Sequence, residues 1–152
     1  MPKDEPVDIA TNSSEVVFHG RVWNVVTDRF DFAGVELARD FILHPGAVAV
    51  IALNEDQEIL MIRQYRRPVG TFLWELPAGL LDVSGEPEIE AAKRELAEET
   101  GYQAQTIEHL VTFHPSPGGN SETITIFFAQ GLKEIDYDYV KTGEEVDLQP
   151  TW

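Results

Sequence analysis

Six glutamates, Glu86, Glu88, Glu90, Glu95, Glu98 and Glu99, crowd the stretch GLLDVSGEPEIEAAKRELAEETGY, residues 79–102. Carboxylates at this density can hold a hard divalent cation through oxygen, or move protons as general acids and bases. Pro87 suits a first helical position and Gly101 a helix stop, so a helix is expected from about Pro87 to Thr100. Stepping about 100° per residue from Glu95 puts Glu88 near 20°, Glu99 near 40° and Glu98 near −60°. Ala91 and Ala92 share that side, Ile89 and Leu96 turn toward a sheet, and Lys93 points away. One face is therefore a carboxylate cluster floored by alanines. A solvated acidic face is the commonest cause of charge on a helix, and it usually pairs Glu with Lys or Arg one turn on. Glu90 and Arg94 have that spacing. Glu95 and Glu99 are instead a like-charge pair, which costs about 0.2–0.5 kcal/mol. So small a cost leaves both a solvated face and an all-oxygen site for a hard cation such as Mg2+ open.

The rest of the composition bounds the setting. The chain has 152 residues, enough for one domain with a core. It lacks cysteine, which excludes disulfides, thiolate metal sites and cysteine nucleophiles and fits a reducing, cytoplasmic location. No apolar run reaches the length of a membrane span, and the polar stretch 1–15 has no secretory pattern. A net charge of −16 argues against nucleic acid and anionic membranes as partners, since both favour a basic surface. A phosphate-bearing ligand stays compatible if cations or a local basic patch meet it. Arg63, Arg66 and Arg67, in IRQYRRP, form such a patch, in a stretch free of acids between Glu58 and Glu75.

The elements that must position these residues are mostly strands. Residues 1–14 read as a loose tail, and 15–43 as an N-terminal antiparallel sheet with a turn at DFAG. The apolar run GAVAVIAL (46–53) reads as a buried strand, with NEDQ as a turn and EILMIRQY (58–65) as its hairpin partner. TFLWELPAG reads as one short strand ending at Pro77–Gly79, and TIEHLVTFH and TITIFFAQ as two more, joined by PSPGGNSE. Residues 134–150 are acidic and turn-like. Strands outnumber helices, which places the chain in an α+β or αβα class with a mixed sheet.

The order of residues carries more than the charge. Gly79, six residues, Glu86, seven residues and then RELAEETGY (Arg94–Tyr102) resembles the Nudix box, Gly-x5-Glu-x7-Arg-Glu-aliphatic-x-Glu-Glu-x-Gly-aliphatic. It departs by one extra residue before Glu86 and by Tyr102 at the last aliphatic site. The resemblance implies a Nudix αβα sandwich over residues 44–152. It also implies a loop–helix–loop that binds Mg2+ or Mn2+ and hydrolyses a nucleoside diphosphate linked to another moiety. By position, Glu95 and Glu99 would be the main metal ligands, with Glu98 supporting and the Ala78 carbonyl as an extra ligand. Arg94 would orient a glutamate through a salt bridge, and Glu86 would be structural.

GAVAVIAL, RQYRRPVG, LWELPAGLLD and Pro117, sixteen residues after Gly101, resemble the ADP-ribose pyrophosphatase group. In that likeness SPGGNSE (116–122) carries the general base at Glu122, against the plainer reading of a loop glutamate in solvent. Arg66, with Arg63 beside it, would hold substrate phosphates, against a surface arginine beside a turn. The 15–43 sheet would complete a homodimer. Trp23 is the candidate for stacking on adenine, against a core or interface role. His19, His44, His109 and His114 show no metal-ligand spacing and read as structural. Members of the group continue for tens of residues past the point where this chain stops at DLQPTW, so a C-terminal strand and helix are expected to be missing. The implied activity is metal-dependent hydrolysis of ADP-ribose or a related ADP-sugar to AMP and a sugar phosphate. Alternatives are another Nudix substrate (NADH, a dinucleoside polyphosphate or a nucleoside triphosphate), a catalytically silent Nudix-fold binding domain, and a plain acidic interaction module.

Overall fold

Thr11–Leu43 alternates strand-forming stretches with tight turns and folds into an antiparallel meander of β1 (Thr11–His19), β2 (Asn24–Phe32) and β3 (Val35–Leu43). The β2–β3 turn is Ala33–Gly34, closed by the Phe32–Val35 pair, with φ of 52° and 80°. Both angles are left-handed, as a two-residue hairpin turn that matches strand twist requires, and glycine meets that demand without strain. β1 begins at Thr11, inside the stretch expected to be a loose tail. The computed structural model describes residues 2–136 and 148–152. These fall into two compact units, Met1–His44 with Ser116–Glu122, and Pro45–Pro115 with Thr123–Trp152.

The first unit recruits a distant loop. The Ile42 amide donates to the Gly119 carbonyl at 3.0 Å, and the Ser121 amide donates to the Ile42 carbonyl at 3.0 Å. Asn120 thereby forms a parallel bridge with Ile42. The loop 116–122 is thus tied to the end of β3 by main-chain bonds.

The second unit holds β4 (Ala47–Ala52), β5 (Met61–Arg66), β6 (Thr71–Glu75), β7 (Ala78–Leu80), α1 (Glu88–Thr100), β8 (Tyr102–Phe113), β9 (Ile124–Glu134) and β10 (Gln149–Thr151). The continuous apolar run in β4 makes it a central strand, paired antiparallel with β7 and parallel with β9 in a mixed sheet of order β7-β4-β9-β8. A parallel pair needs a long crossover, and α1 lies within it. Helix and sheet meet at Val48, Val50, Ala52, Leu60, Ala91, Ala92, Leu96, Phe127 and Ala129, the core of the unit. The result is the expected α+β fold with a mixed sheet.

Three assignments differ from the sequence reading. β5 is not the hairpin partner of β4: the Asn54–Gln57 turn is closed by the Leu53–Ile59 bridge and the bond from the Leu60 amide to the Ala52 carbonyl, and β5 then pairs with β6 and β10 in a second sheet. TFLWELPAG is two strands, because Pro77 offers no amide to a ladder and separates β6 from β7. Gln149 and Pro150 of β10, read as turn-like, pair with Arg63 and Ile62. The acidic stretch 137–147 lies outside the described residues. Among the described residues α1 is the only α-helix, and no helix there is long and apolar enough to cross a membrane.

Leu96 is 1 % exposed and joins α1 to the sheet. Leu96→Ala should lower unfolding free energy by about 2–5 kcal/mol, from lost transfer energy plus a residual cavity. Denaturant titration followed by circular dichroism reads this directly.

Candidate active site

α1 starts after Pro87, whose extended backbone (φ −63°, ψ 142°) places its carbonyl to accept the Glu90 and Ala91 amides at 2.9 and 3.0 Å. Glu88 and Glu90 in the first turn suit the positive end of the helix dipole. Gly101 ends the helix with φ 74° and donates its amide to the Ala97 carbonyl at 2.9 Å. Between these caps Ala91, Ala92, Leu96 and Ala97 are buried. Three of the four are alanines, so the helix backbone can lie close to the sheet. The glutamates beside them are drawn in with it.

One guanidinium organises them. Arg94 donates Nε to Glu86 Oε1 at 3.0 Å and Nη2 to Glu86 Oε2 at 2.9 Å, a bidentate pair. Its Nη1 donates to Glu95 Oε1 at 2.6 Å and to Glu98 Oε2 at 3.2 Å. The Glu90–Arg94 pair expected from spacing does not form. Glu90 pairs with Lys93 at 2.8 Å, leaving Arg94 to the three half-buried carboxylates. Glu99 turns to β7, where its Oε2 accepts the Ala78 amide at 2.8 Å.

The electrostatics follow from these contacts. The hydrogen bond from Arg94 holds the Glu86 carboxyl below its ordinary value. Arg94 is in turn pushed further up, first by its bond to Glu86 and then by the charge of Glu95. Burial pushes Glu95 above the ordinary carboxylate range, with Arg94 pulling against it. The Glu95 carboxyl lies against the bare α-carbon of Gly79: a Cβ there would be 2.0 Å from Glu95 Cδ.

Among the described residues no three His, Asp or Glu side chains converge as a set of metal ligands. Arg94 holds Glu95 and Glu98, and the Ala78 amide holds Glu99. The side chains of Glu95, Glu98 and Glu99 nonetheless offer only hard oxygens, the donor type that Mg2+ or Mn2+ prefers.

The other expected residues form two further groups. On β5, Arg66 makes a bidentate pair with Glu75 at 3.0 and 2.7 Å, and the Arg63 guanidinium lies 4.2 Å from the centre of the Phe72 ring. The basic stretch is acid-free in sequence, but folding returns Glu75 to it. In the first unit, Trp23 stacks on His44 with ring centres 4.3 Å apart and planes at 27°. His44 Nε2 is 3.5 Å from Glu122 Oε1. The Glu122 amide donates to Asn120 Oδ1 at 2.9 Å, and Asn120 Nδ2 donates to Glu122 Oε2 at 3.4 Å. From sequence His44 reads only as structural, because its partners lie far away in the chain and no local spacing marks it.

Gly79→Ala should destabilise by about 1–3 kcal/mol through overpacking, and Gly79→Ala/Glu95→Ala should recover much of that loss, since the clash is with the Glu95 side chain. Denaturation of the three variants measures the coupling. A depressed carboxyl pKa contributes stability above its unfolded value, which is lost as pH falls through the folded one. Glu86→Gln should therefore lower Tm at neutral pH, with the gap to wild type closing under acid. Melts from pH 7 to pH 2.5 test this.

The NUDIX domain profile matches residues 43–152. An ADP-ribose pyrophosphatase of Mycobacterium tuberculosis is 40 % identical over 146 residues, covering 95 % of this chain and 70 % of that protein. A methanol dehydrogenase activator of Bacillus methanolicus is 40 % identical over 140 residues, covering 91 % of this chain and 75 % of that protein. A crystal structure described as an ADP compounds hydrolase superimposes with a TM-score of 0.77 over 98 % of this chain and 80 % of the other, at 24 % identity, and shows the same fold. With a glutamate-rich helix capped and counter-charged as described, and with the domain match spanning most of its length, the chain belongs to the Nudix family and is a Nudix hydrolase.

Proposed function

We propose that the chain hydrolyses the pyrophosphate bond of ADP-ribose or a related ADP-sugar, giving AMP and the sugar phosphate. The observation that carries this reading is the 40 % identity to an ADP-ribose pyrophosphatase across 95 % of the chain. Nudix hydrolases in general use divalent metal ions. The carboxylates of Glu95, Glu98 and Glu99 and the Ala78 carbonyl are the groups that would hold Mg2+ or Mn2+ here. A divalent cation so bound polarises phosphoryl oxygens and neutralises charge developing on the diphosphate.

The chain's own residues do the rest. Arg94 keeps Glu86, Glu95 and Glu98 gathered, so that the carboxylates need little rearrangement. Glu122 accepts the proton of the attacking water. As the new P–O bond forms, the bridging oxygen leaves with the other phosphoryl group. Arg66 and Arg63 hold phosphate oxygens, and Arg66 would exchange the Glu75 carboxylate for a substrate oxygen of similar geometry. An adenine would stack on the Trp23 face turned away from His44. The first unit would serve as a dimer element: β1 exposes Val16, Val17 and Phe18, and β3 exposes Val35 and Leu43.

The test is hydrolysis of ADP-ribose with Mg2+, products separated by chromatography, against ADP-glucose, NADH, diadenosine polyphosphate and dGTP. AMP and ribose 5-phosphate should form fastest, and Glu99→Gln should lose at least about a hundredfold in rate. Faster turnover of another compound would reject the substrate assignment while keeping the hydrolase. Light scattering should give twice the chain mass.

A further inference from the structure

We infer that His44 is a positioning residue for Glu122, and that Trp23 holds His44 in place. This rests on the reading of Glu122 as the proton acceptor. Glutamate has three rotatable bonds, and a carboxylate on a loop ordinarily samples several orientations. Glu122 does not sit on an ordinary loop. Main-chain bonds from Ile42 to Gly119 and Ser121 fix 116–122 against β3. The His44 amide donates to Ser121 Oγ at 2.9 Å, one residue before Glu122. Asn120 grips the Glu122 amide and approaches Oε2 at 3.4 Å, while His44 Nε2 approaches Oε1 at 3.5 Å. The two carboxylate oxygens therefore have separate holders.

The imidazole is itself held. Its side chain is only 5 % exposed, against 20 % for that of Glu122. The stacked Trp23 ring sets its plane, and its backbone is tied to the loop it serves. The choice of residue matters. An arginine would place a permanent charge on the carboxylate and weaken it as a base. An imidazole can orient the same oxygen with a single N–H from Nε2.

The experiment is a double-mutant cycle in the full chain, with kcat and KM for ADP-ribose measured in Mg2+. Glu122→Gln should lower kcat by about 10²–10⁴-fold. His44→Phe keeps a flat ring against Trp23 but removes the donor. It should lower kcat by roughly tenfold to a hundredfold with little change in KM, as a misplaced catalytic group does. His44→Gln restores a donor at a similar reach and should regain the larger part of the lost turnover. In the Glu122→Gln background, His44→Phe should have no further effect, because the two act as a unit. Full turnover in His44→Phe alongside a crippled Glu122→Gln overturns the positioning role and leaves Glu122 as the base. So do losses that multiply in the double variant. Full turnover in Glu122→Gln rejects the base assignment itself, and the positioning role with it. Thermal melts accompany each variant. Should His44→Phe fail to fold, the same cycle is read from His44→Leu against His44→Gln.

Discussion

The contact on which the active-site unit depends is the hold of Arg94 on Glu86, Glu95 and Glu98. Unit charges about 4 Å apart near a protein surface interact by roughly 4 kcal/mol, far above the cost of one exposed like-charge pair on a helix. Carboxylates drawn in beside a helix packed on a sheet could not share this space without a cation among them. The guanidinium is that cation, and its planar fork fixes the direction as well as the charge. It joins the loop before α1, through Glu86, to the acidic face of α1 itself.

Close approach is the second requirement. Ala91, Ala92 and Ala97 bring the helix backbone to the sheet, and Gly79 leaves room for the Glu95 carboxyl where any side chain would collide. Burial then raises the affinity of Glu95 for a positive charge, whether a proton or a cation. Arg94 offsets part of that cost by its charge and its hydrogen bond to Glu95.

The first unit solves a similar problem by other means. Asn120 approaches Glu122 Oε2 at 3.4 Å, and His44, stacked on Trp23, approaches Oε1 at 3.5 Å. Separate donors on the two oxygens set the direction of a carboxylate, as the guanidinium fork does for Glu86.

The helix, its Gly101 stop and the acidic face were legible in the sequence, because they are local properties, although Pro87, read as the first helical residue, is the extended cap before it. β3 was legible to the residue, since the Ala33–Gly34 turn closes it locally. Strand pairing was not. The hairpin reading of 46–65 failed because adjacency in sequence does not fix pairing: β7 and β9 take the edges of β4, and β6 and β10 take those of β5. The charge partners escaped for the same reason: spacing offers Glu90 to Arg94, while the approach of Glu86 from the preceding loop wins with a two-bond fork. By itself the sequence determined the box, its helix and the family they mark. The tertiary structure alone decided that Glu75 returns to Arg66 and that Arg94 gathers three acids. It alone also decided that His44 faces Glu122, since each is a meeting of residues whose distance in space no local rule encodes.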